Sequence, residues 1–283
     1  MLDFEGELRQ LMPDIFFVNT DGHTPAKEQL CKELGIEYIV SQRIPHGSLP
    51  VRSTTALRQV CRIPYRIDLA GGWLDQPYVS KFYPGTVITI CVEPDYEFND
   101  RSGMSTSSRN KAIELWQTDI PEGDSEKLAK TLFCFENPPG TKYVSGSQDS
   151  LGITMSGLNR YFYDNDYWPS KIESRLDDDL LTWIEQRIWM IPLYPRKSDF
   201  DVLADTRIDE RGAKALSLAA EELWNSLMKK DARTVGEAFT RSFEAQISMF
   251  PNMVNTEILE QIEHYKQAAL GWKPAQPRPR KVS

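Results

Sequence analysis

The chain has 283 residues and a formal net charge of −8, and its 40% hydrophobic and 26% charged residues are typical of a globular protein with a sizeable core. The acidic balance argues against a nucleic-acid partner, because general nucleic-acid binding needs clustered Lys and Arg to neutralise phosphates. No window approaches ~18 consecutive apolar residues and the first residues lack a signal-peptide pattern, so we expect a cytoplasmic protein with no membrane partner.

The first sixty residues alternate between strand and helix patterns. PDIFFVNTDG is an apolar run closed by an Asp-Gly turn, which predicts a buried strand. TPAKEQLCKELG has a Thr cap, a Pro at the first helical position and a terminal Gly, which together predict a complete helix. IEYIV predicts a second buried strand. A strand–helix–strand unit of this length implies that the two strands pair in parallel.

The pattern changes from Ile63 onward. GTVITICVEPDYEFN predicts extended structure, and IWMIPLYP predicts a strand ended by proline. NKAIELW and SEKLAKTLFCF have helical spacing. The last third predicts three amphipathic helices whose apolar stripes face the core. The stripes consist of Leu216, Ala219, Leu223 and Leu227; of Val235, Phe239, Phe243, Ile247 and Phe250; and of Ile258, Ile262, Tyr265 and Ala269. GWKPAQPRPRKVS then predicts a disordered tail.

The four cysteines lie far apart in the sequence and form no CxxC pair. They are Cys31, Cys61, Cys91 and Cys134. We therefore expect reduced structural thiols rather than a zinc or redox site.

The stretch RIDLAGGWLD at residues 66–75 is the first of three polar constellations. Asp68 and Asp75 are suited to binding sugar hydroxyls, because each carboxylate can accept two such hydrogen bonds. Gly71 and Gly72 let the backbone approach a ligand without an intervening Cβ. The alternative interpretation is an ordinary glycine turn.

SGMSTSSRNKAIELW, residues 102–116, is the second constellation. A glycine and a run of hydroxyls lead directly into an amphipathic helix, whose N-terminus suits an anionic phosphate, and hydroxyls can bind Mg²⁺. The alternative is a Ser/Thr cap with a polar approach. The stretch is not a Walker A motif, because no Gly-Lys-Ser/Thr follows.

SGSQDSLGITMSGLNR, residues 145–160, is the third constellation. Asp149 lies in a Gly- and Ser-rich setting with Gln148 beside it. A carboxylate in this setting is a candidate general base if it lies next to a hydroxyl that must lose a proton. The alternative is a cap or turn residue.

In their order, the three constellations resemble the motifs of the GHMP kinase superfamily, small-molecule kinases that include galactokinase, homoserine kinase, mevalonate kinase, and fucose and heptose kinases. The first resembles the sugar-kinase motif Arg-Val-Asn-Leu-Ile-Gly-Glu-His-Thr-Asp, with Arg66, Gly71 and Asp75 at matching positions. GMSTS resembles the second family motif, Gly-Leu-(Gly/Ser)-Ser-Ser, and GSQD resembles the Gly-Lys-Gln-Asp of heptose and fucose kinases.

The resemblance implies an α+β fold of two lobes over residues 61–272, with a ribosomal-protein-like N-lobe and a C-lobe that is helical or mixed. A βαβ fragment of α/β type, residues 1–60, precedes it. Residues 273–283 form the tail. A homodimer is compatible with this fold, and the sequence leaves the oligomeric state open.

The resemblance also implies phosphoryl transfer from MgATP to a hydroxyl of a sugar or sugar phosphate. Asp149 would accept the hydroxyl proton, and Arg66 would hold that carboxylate ionised and oriented. Asp75, with Asp68, would bind sugar hydroxyls beside Gly71 and Gly72. The turn that would cradle the β- and γ-phosphates of ATP consists of Gly103, Met104, Ser105, Thr106 and Ser107, with Thr106 as the Mg²⁺ ligand.

Two departures from the family pattern bear on activity. The second motif lacks the usual upstream Pro-x-Gly. Arg109 and Lys111 stand just beyond the motif, where they either supply positive charge or belong to a solvated helix face. After ALGWK, the family's Gly-Ala-Gly-Gly-Gly-Gly is replaced by PAQPRPRKVS, as a truncated or frameshifted reading frame would give. We therefore expect a sugar kinase whose turnover is impaired.

The first sixty residues resemble the second half of a cytidylyltransferase-type nucleotidyltransferase domain, in which the Ser-Thr-Thr turn of RSTTALR contacts the nucleotide. The family's His-x-Gly-His is absent, and His23 and His46 are interpreted as surface loop residues. Two alternatives to the kinase stay open: a non-catalytic protein that binds a sugar or nucleotide and, less favoured, a working cytidylyltransferase.

Overall fold

The computed structural model describes residues 5–41, 61–94, 106–191, 203 and 205–274. The chain divides into two compact units, residues 1–60 and 61–283. The larger unit has a mixed α+β architecture. Among the described helices, none combines the length and apolar character needed to cross a membrane.

The first unit contains the predicted strand–helix–strand arrangement. Helix α1 (Glu5–Leu11) is followed by β1 (Ile15–Asn19), α2 (Pro25–Leu34) and β2 (Glu37–Ser41). The two strands pair in parallel, as predicted.

The boundaries of α2 follow the chemistry of its ends. Thr24 precedes the helix and accepts a hydrogen bond from the backbone N–H of Lys27, and Pro25 opens it. Gly35 closes it in the left-handed conformation, with φ of 70°. The sequence prediction for this helix is confirmed at both ends.

The second unit is built on one antiparallel sheet. Its strands are β3 (Tyr65–Ala70), β4 (Gly85–Val92), β5 (Leu158–Tyr163) and β6 (Lys171–Arg175), in that spatial order. The register of β3 against β4 shifts between Asp68 and Ala70, so β3 is irregular just before the Gly-Gly pair.

Eight described helices accompany this sheet. They are α3 (Pro77–Ser80), α4 (Thr106–Trp116), α5 (Ser125–Glu136), α6 (Ser147–Thr154), α7 (Asp178–Glu185), α8 (Glu210–Met228), α9 (Ala232–Met249) and, after a single 3₁₀ turn at Pro251–Met253, α10 (Thr256–Tyr265), of which α3 is only one turn long. Helices α8 and α9 pack against each other and against β3, and α8 also packs against β4.

The predicted apolar stripes of α8 and α9 lie in the core. The four stripe residues of α8 are all buried, and Val235, Phe243 and Phe250 are buried on or just after α9. Phe239 and Ile247 are partly buried against the same core. These two predictions are confirmed.

Two predictions made from apolar runs are wrong. Helix α10 forms, but none of its residues is buried, so its stripe is not a core face. Residues 188–191, the part of the IWMIPLYP stretch that the structure describes, form no strand. Ile188 packs against a core cluster, while Trp189 is 83% exposed. A strand needs a ladder partner, and an apolar run by itself does not supply one.

The second unit should depend on glycine at position 71, where φ is 79° and a Cβ would overlap the carbonyl oxygen of Thr86 on β4. We expect Gly71→Ala to lower the free energy of unfolding by about 2 kcal/mol more than Gly140→Ala. Gly140 is the matched control, because its φ is 88° with open space around it.

The measurement is urea unfolding followed by tryptophan fluorescence, since all seven tryptophans lie between residues 61 and 283. Equal losses in the two variants would contradict the role assigned to the Thr86 contact.

Candidate functional site

The stretch predicted as a sugar-binding loop is part strand and part turn. Arg66 and Asp68 lie on β3, two residues apart, so their side chains share one face of the sheet. The strand ends at Ala70, and the Gly-Gly pair turns the chain toward Asp75.

Side chains of helix α9 form hydrogen bonds with this turn. The backbone N–H of Gly71 donates to Ser242 Oγ at 3.3 Å, and Gln246 Nε2 donates to the carbonyl of Gly72 at 3.0 Å. Ser242 and Gln246 are four residues apart and therefore lie on the same face of α9. The Gly-Gly turn is thus fixed by side chains from a distant part of the sequence.

Asp149 lies on a helix, whereas its Gly- and Ser-rich setting is typical of a loop or turn. Gly146 precedes α6, and Asp149 is the third residue of that helix. All eight residues of α6 are buried, and the helix packs between α5 and strands β3 and β4. The main chain therefore holds this carboxylate rigidly.

Arg66 and Asp149 form a buried ion pair. Arg66 Nη2 contacts Asp149 Oδ1, and Asp149 is only 1% exposed. A Cβ at Gly152, one turn further along α6, would overlap the aliphatic part of Arg66, so the glycine allows the arginine to lie against the helix. The predicted pairing of these two residues is present in the structure.

Asp75 is completely buried beside the same helix. Gln148 Nε2 donates to Asp75 Oδ1 at 3.0 Å, and a Cβ at Gly146 would overlap the Asp75 carboxylate. The negative charge of Asp75 also helps to raise the pKa of Tyr163, behind the larger effect of burial. GSQD thus contributes Gly146 and Gln148 to the surroundings of Asp75, as well as Asp149.

Asp68 pairs with a residue that the sequence assigned to the tail. Lys273 Nζ lies 2.7 Å from Asp68 Oδ2 and 3.1 Å from its carbonyl oxygen. Gly72 lies against the Asp68 carboxylate, with Gln246 close by. Sequence patterns offered no signal for Lys273 or Gln246, because both come from segments remote from the three constellations.

Several polar atoms of this cluster are buried and lack a hydrogen-bond partner among the described residues. They are Asp68 Oδ1, Gln148 Oε1 and Gln246 Oε1, together with the indole nitrogen of Trp73. The orientation of both amides follows from the oxygen atoms that their Nε2 groups face. Three of these four atoms are acceptors, and a ligand with several hydroxyl donors would satisfy them.

Trp73 belongs to the core. Its ring stacks on Phe250 with centroids 4.2 Å apart and an interplanar angle of 18°. The indole is almost fully buried. It therefore anchors in the core the turn that leads to Asp75.

The second predicted motif lies mostly outside the described residues. Gly103, Met104 and Ser105 are not described, and of Thr106 only its place as the first residue of α4 is known. Ser107 is exposed. Within the described part of the chain, no group of three His, Cys, Asp or Glu side chains could hold a metal ion.

The two basic residues that follow this motif have different surroundings. Arg109 is buried, donates from Nε to the carbonyl of Ile63 at 2.8 Å and lies over the ring of Tyr65, so it is neither a solvated residue nor a free charge for phosphate. Lys111 pairs with Glu114 on the exposed face of α4.

In the first unit, His23 Nδ1 lies 3.2 Å from the hydroxyl of Tyr38 and is half-buried. The Ser-Thr-Thr turn of RSTTALR and His46 lie outside the described residues.

Comparison with known proteins finds no sequence match and a weak structural likeness. No family model matches the chain, and no curated protein matches its sequence. Among solved structures, it is similar to a D-glycero-D-manno-heptose 1-phosphate kinase from Bacteriodes thetaiotaomicron, with a TM-score of 0.35 and 14% identity over 65% of this chain and 77% of the other. A likeness at this level establishes neither family nor function.

Removing one partner of the Arg66–Asp149 pair should strongly destabilise the second unit. We expect Arg66→Met to lower the free energy of unfolding by about 3–5 kcal/mol, because the Asp149 carboxylate would be left buried without its partner. Lys111→Met, which removes one partner of the exposed pair with Glu114, should cost less than about 1 kcal/mol.

Urea unfolding measured by tryptophan fluorescence tests this, with the double variant Arg66→Met/Asp149→Leu as the decisive sample. It should be more stable than Arg66→Met alone, since both buried charges are gone. A double variant less stable than Arg66→Met would contradict the assignment.

The buried tyrosines next to the cluster predict a loss of stability in alkali. Burial raises the pKa of Tyr161 from its ordinary value of 10.0, with Thr89 and Arg66 opposing the shift. A raised folded-state pKa means that the stabilising contribution is complete below pH 10 and is lost as the pH rises above it.

We therefore expect the unfolding free energy of Tyr161→Phe to fall less steeply above about pH 10 than that of the wild type. Tyr143→Phe, at a 63% exposed position, is the control and should follow the wild type. The check is a series of urea titrations between pH 8 and pH 11, and identical slopes in all three proteins would refute the prediction.

Proposed function

We propose that the second unit is a kinase domain that transfers a phosphoryl group from MgATP to a hydroxyl of a sugar or sugar phosphate. The observation that carries the proposal is Asp149: a carboxylate 1% exposed, held on a buried helix and paired with Arg66. Burying two charges is costly, and paired buried charges are common where a site needs an oriented, ionised group.

In this proposal, Asp149 accepts the proton of the attacking hydroxyl. Arg66 keeps the carboxylate ionised and turned toward the substrate, since a nearby positive charge favours the charged form of an acid. The reaction needs little covalent chemistry from the protein, so orientation of the hydroxyl is the main contribution of these residues.

Asp68 and Asp75 bind the sugar in this proposal. The unpartnered acceptors Asp68 Oδ1, Gln148 Oε1 and Gln246 Oε1 support a ligand that carries several hydroxyl donors. In this proposal Gly71 and Gly72 shape the turn that holds the two acids. The space that a Cβ would take at these glycines is filled by Thr86 and by Asp68, so they do not open the backbone to a ligand as the sequence had predicted.

MgATP supplies the phosphoryl group when it is bound, and the proposed phosphate turn is Gly103–Ser107. A Mg²⁺ that arrives with nucleotide phosphates takes few protein ligands. Thr106 is the proposed ligand.

A non-catalytic sugar-binding protein is the second candidate. The observation in its favour is that Asp68 already has a partner in Lys273, so part of the cluster is occupied by the chain itself.

The test is ADP release with MgATP and a panel of fucose, galactose and heptose 7-phosphate. We expect turnover in the wild type and a loss of about 10²-fold or more in Asp149→Asn, as for removal of a general base. Asp178→Asn, at an exposed position in the first turn of α7, is the control and should keep wild-type turnover.

A thermal melt of each variant shows whether it is folded. Saturable sugar binding without ADP release above the Asp149→Asn background would favour the non-catalytic protein. Equal turnover in Asp149→Asn and the wild type would exclude Asp149 as the base.

A further inference from the structure

Residues 270–273, which we term the C-terminal strap, run across helix α9 into the candidate site. Gly271 lies directly against the backbone of Gly236, where a Cβ on either residue would overlap the other segment. The backbone N–H of Trp272 donates to Thr240 Oγ1 at 3.3 Å. The strap therefore contacts α9 at two positions one helical turn apart, Gly236 and Thr240.

Lys273 ends the strap inside the protein. Its side chain is 5% exposed, and its Nζ contacts both Asp68 Oδ2 and the Asp68 carbonyl oxygen. One ammonium thus binds the side chain and the main chain of the same residue. This double contact fixes both the carboxylate orientation and the end of β3, just before the Gly-Gly turn.

The charges that act on Lys273 come from residues of the same cluster. Burial lowers the pKa of Lys273 and the positive charge of Arg66 acts in the same direction, while Asp68 opposes both. A lysine is rarely buried without a reason, because it gives up the hydration of its ammonium group. Asp68 alone compensates for that loss among the groups that act on it.

The two oxygens of the Asp68 carboxylate differ in what they contact. Oδ2 faces Lys273 at 2.7 Å, whereas Oδ1 is buried without a hydrogen-bond partner in the described part of the chain. A buried carboxylate oxygen strongly favours a donor. Oδ1 is thus the oxygen able to bind a ligand hydroxyl.

We propose that Lys273 is a positioning residue of the ligand site, which fixes Asp68 through Oδ2 so that Oδ1 accepts a hydroxyl of the bound sugar. This inference rests on the proposed function, since it concerns the same sugar site. The strap supplies the lysine from a segment whose composition predicted disorder, and Gly236 and Gly271 bring it close enough to reach β3.

The test compares Lys273→Met with Lys266→Met in the full chain. Lys266 is a matched control, because it lies on the surface and pairs with Glu263. With the panel sugar that the wild type binds best, we expect Lys273→Met to raise the KM for the sugar about tenfold, which is the loss of one hydrogen bond to a charged group. The KM for ATP and kcat should stay within about threefold of the wild-type values.

A second comparison asks whether Lys273 acts through Asp68. In an Asp68→Asn background, Lys273→Met should weaken sugar binding no further, because the carboxylate it positions is already gone. An equal weakening in both backgrounds would overturn the proposal, and so would an unchanged sugar KM in Lys273→Met. A purely structural lysine would lower stability without this dependence on Asp68.

The outcome stays separable from that of the kinase proposal. If the wild type binds the sugar but releases no ADP, the kinase proposal fails and the sugar Kd from calorimetry replaces the KM in both comparisons. Hydrogen exchange of the amides at 271–273 is an independent readout: we expect exchange about tenfold faster in Lys273→Met and unchanged in Lys266→Met. Equal exchange in the two variants would overturn the proposal whatever the assay shows.

Discussion

The buried ion pair between Arg66 and Asp149 is the constraint around which the second unit is arranged. Two charges removed from water are tolerated only if they meet each other with good geometry, so strand β3 and helix α6 must lie at a fixed separation. Helix α6 is completely buried, and the glycine at position 152 leaves room for the Arg66 side chain against it. Strand β3 therefore supplies the arginine of the pair, and helix α6 supplies the aspartate.

The remaining acids of the cluster are organised around this pair. Gln148, next to Asp149 on α6, donates to Asp75, and Lys273 contacts Asp68. A core of apolar side chains would fold at lower electrostatic cost, since buried charges add little stability even when paired. That so many carboxylates are retained in one buried place is the physical reason to propose a ligand site there, with a donor-rich ligand that meets the unpartnered oxygens.

Helix α9 links the candidate site to the far end of the chain. One face of it holds the Gly-Gly turn through Ser242 and Gln246, and Gly236 and Thr240 contact the C-terminal strap. The apolar stripe of the same helix lies in the core. A single element thus connects the core, the turn and Lys273, so a disturbance of α9 should be felt at Asp68.

Local sequence determined the elements that depend on local chemistry. The Thr24 cap and Gly35 defined α2, and the stripe of α8 predicted its buried face, because capping and periodicity are properties of neighbouring residues. The pairing of Arg66 with Asp149 followed from a motif resemblance and not from spacing. Only the tertiary structure decided that Asp149 lies on a helix, that the stripe of α10 is not buried in the core, and that Lys273 reaches Asp68. Those outcomes depend on which distant surfaces meet, and 205 residues separate Lys273 from Asp68.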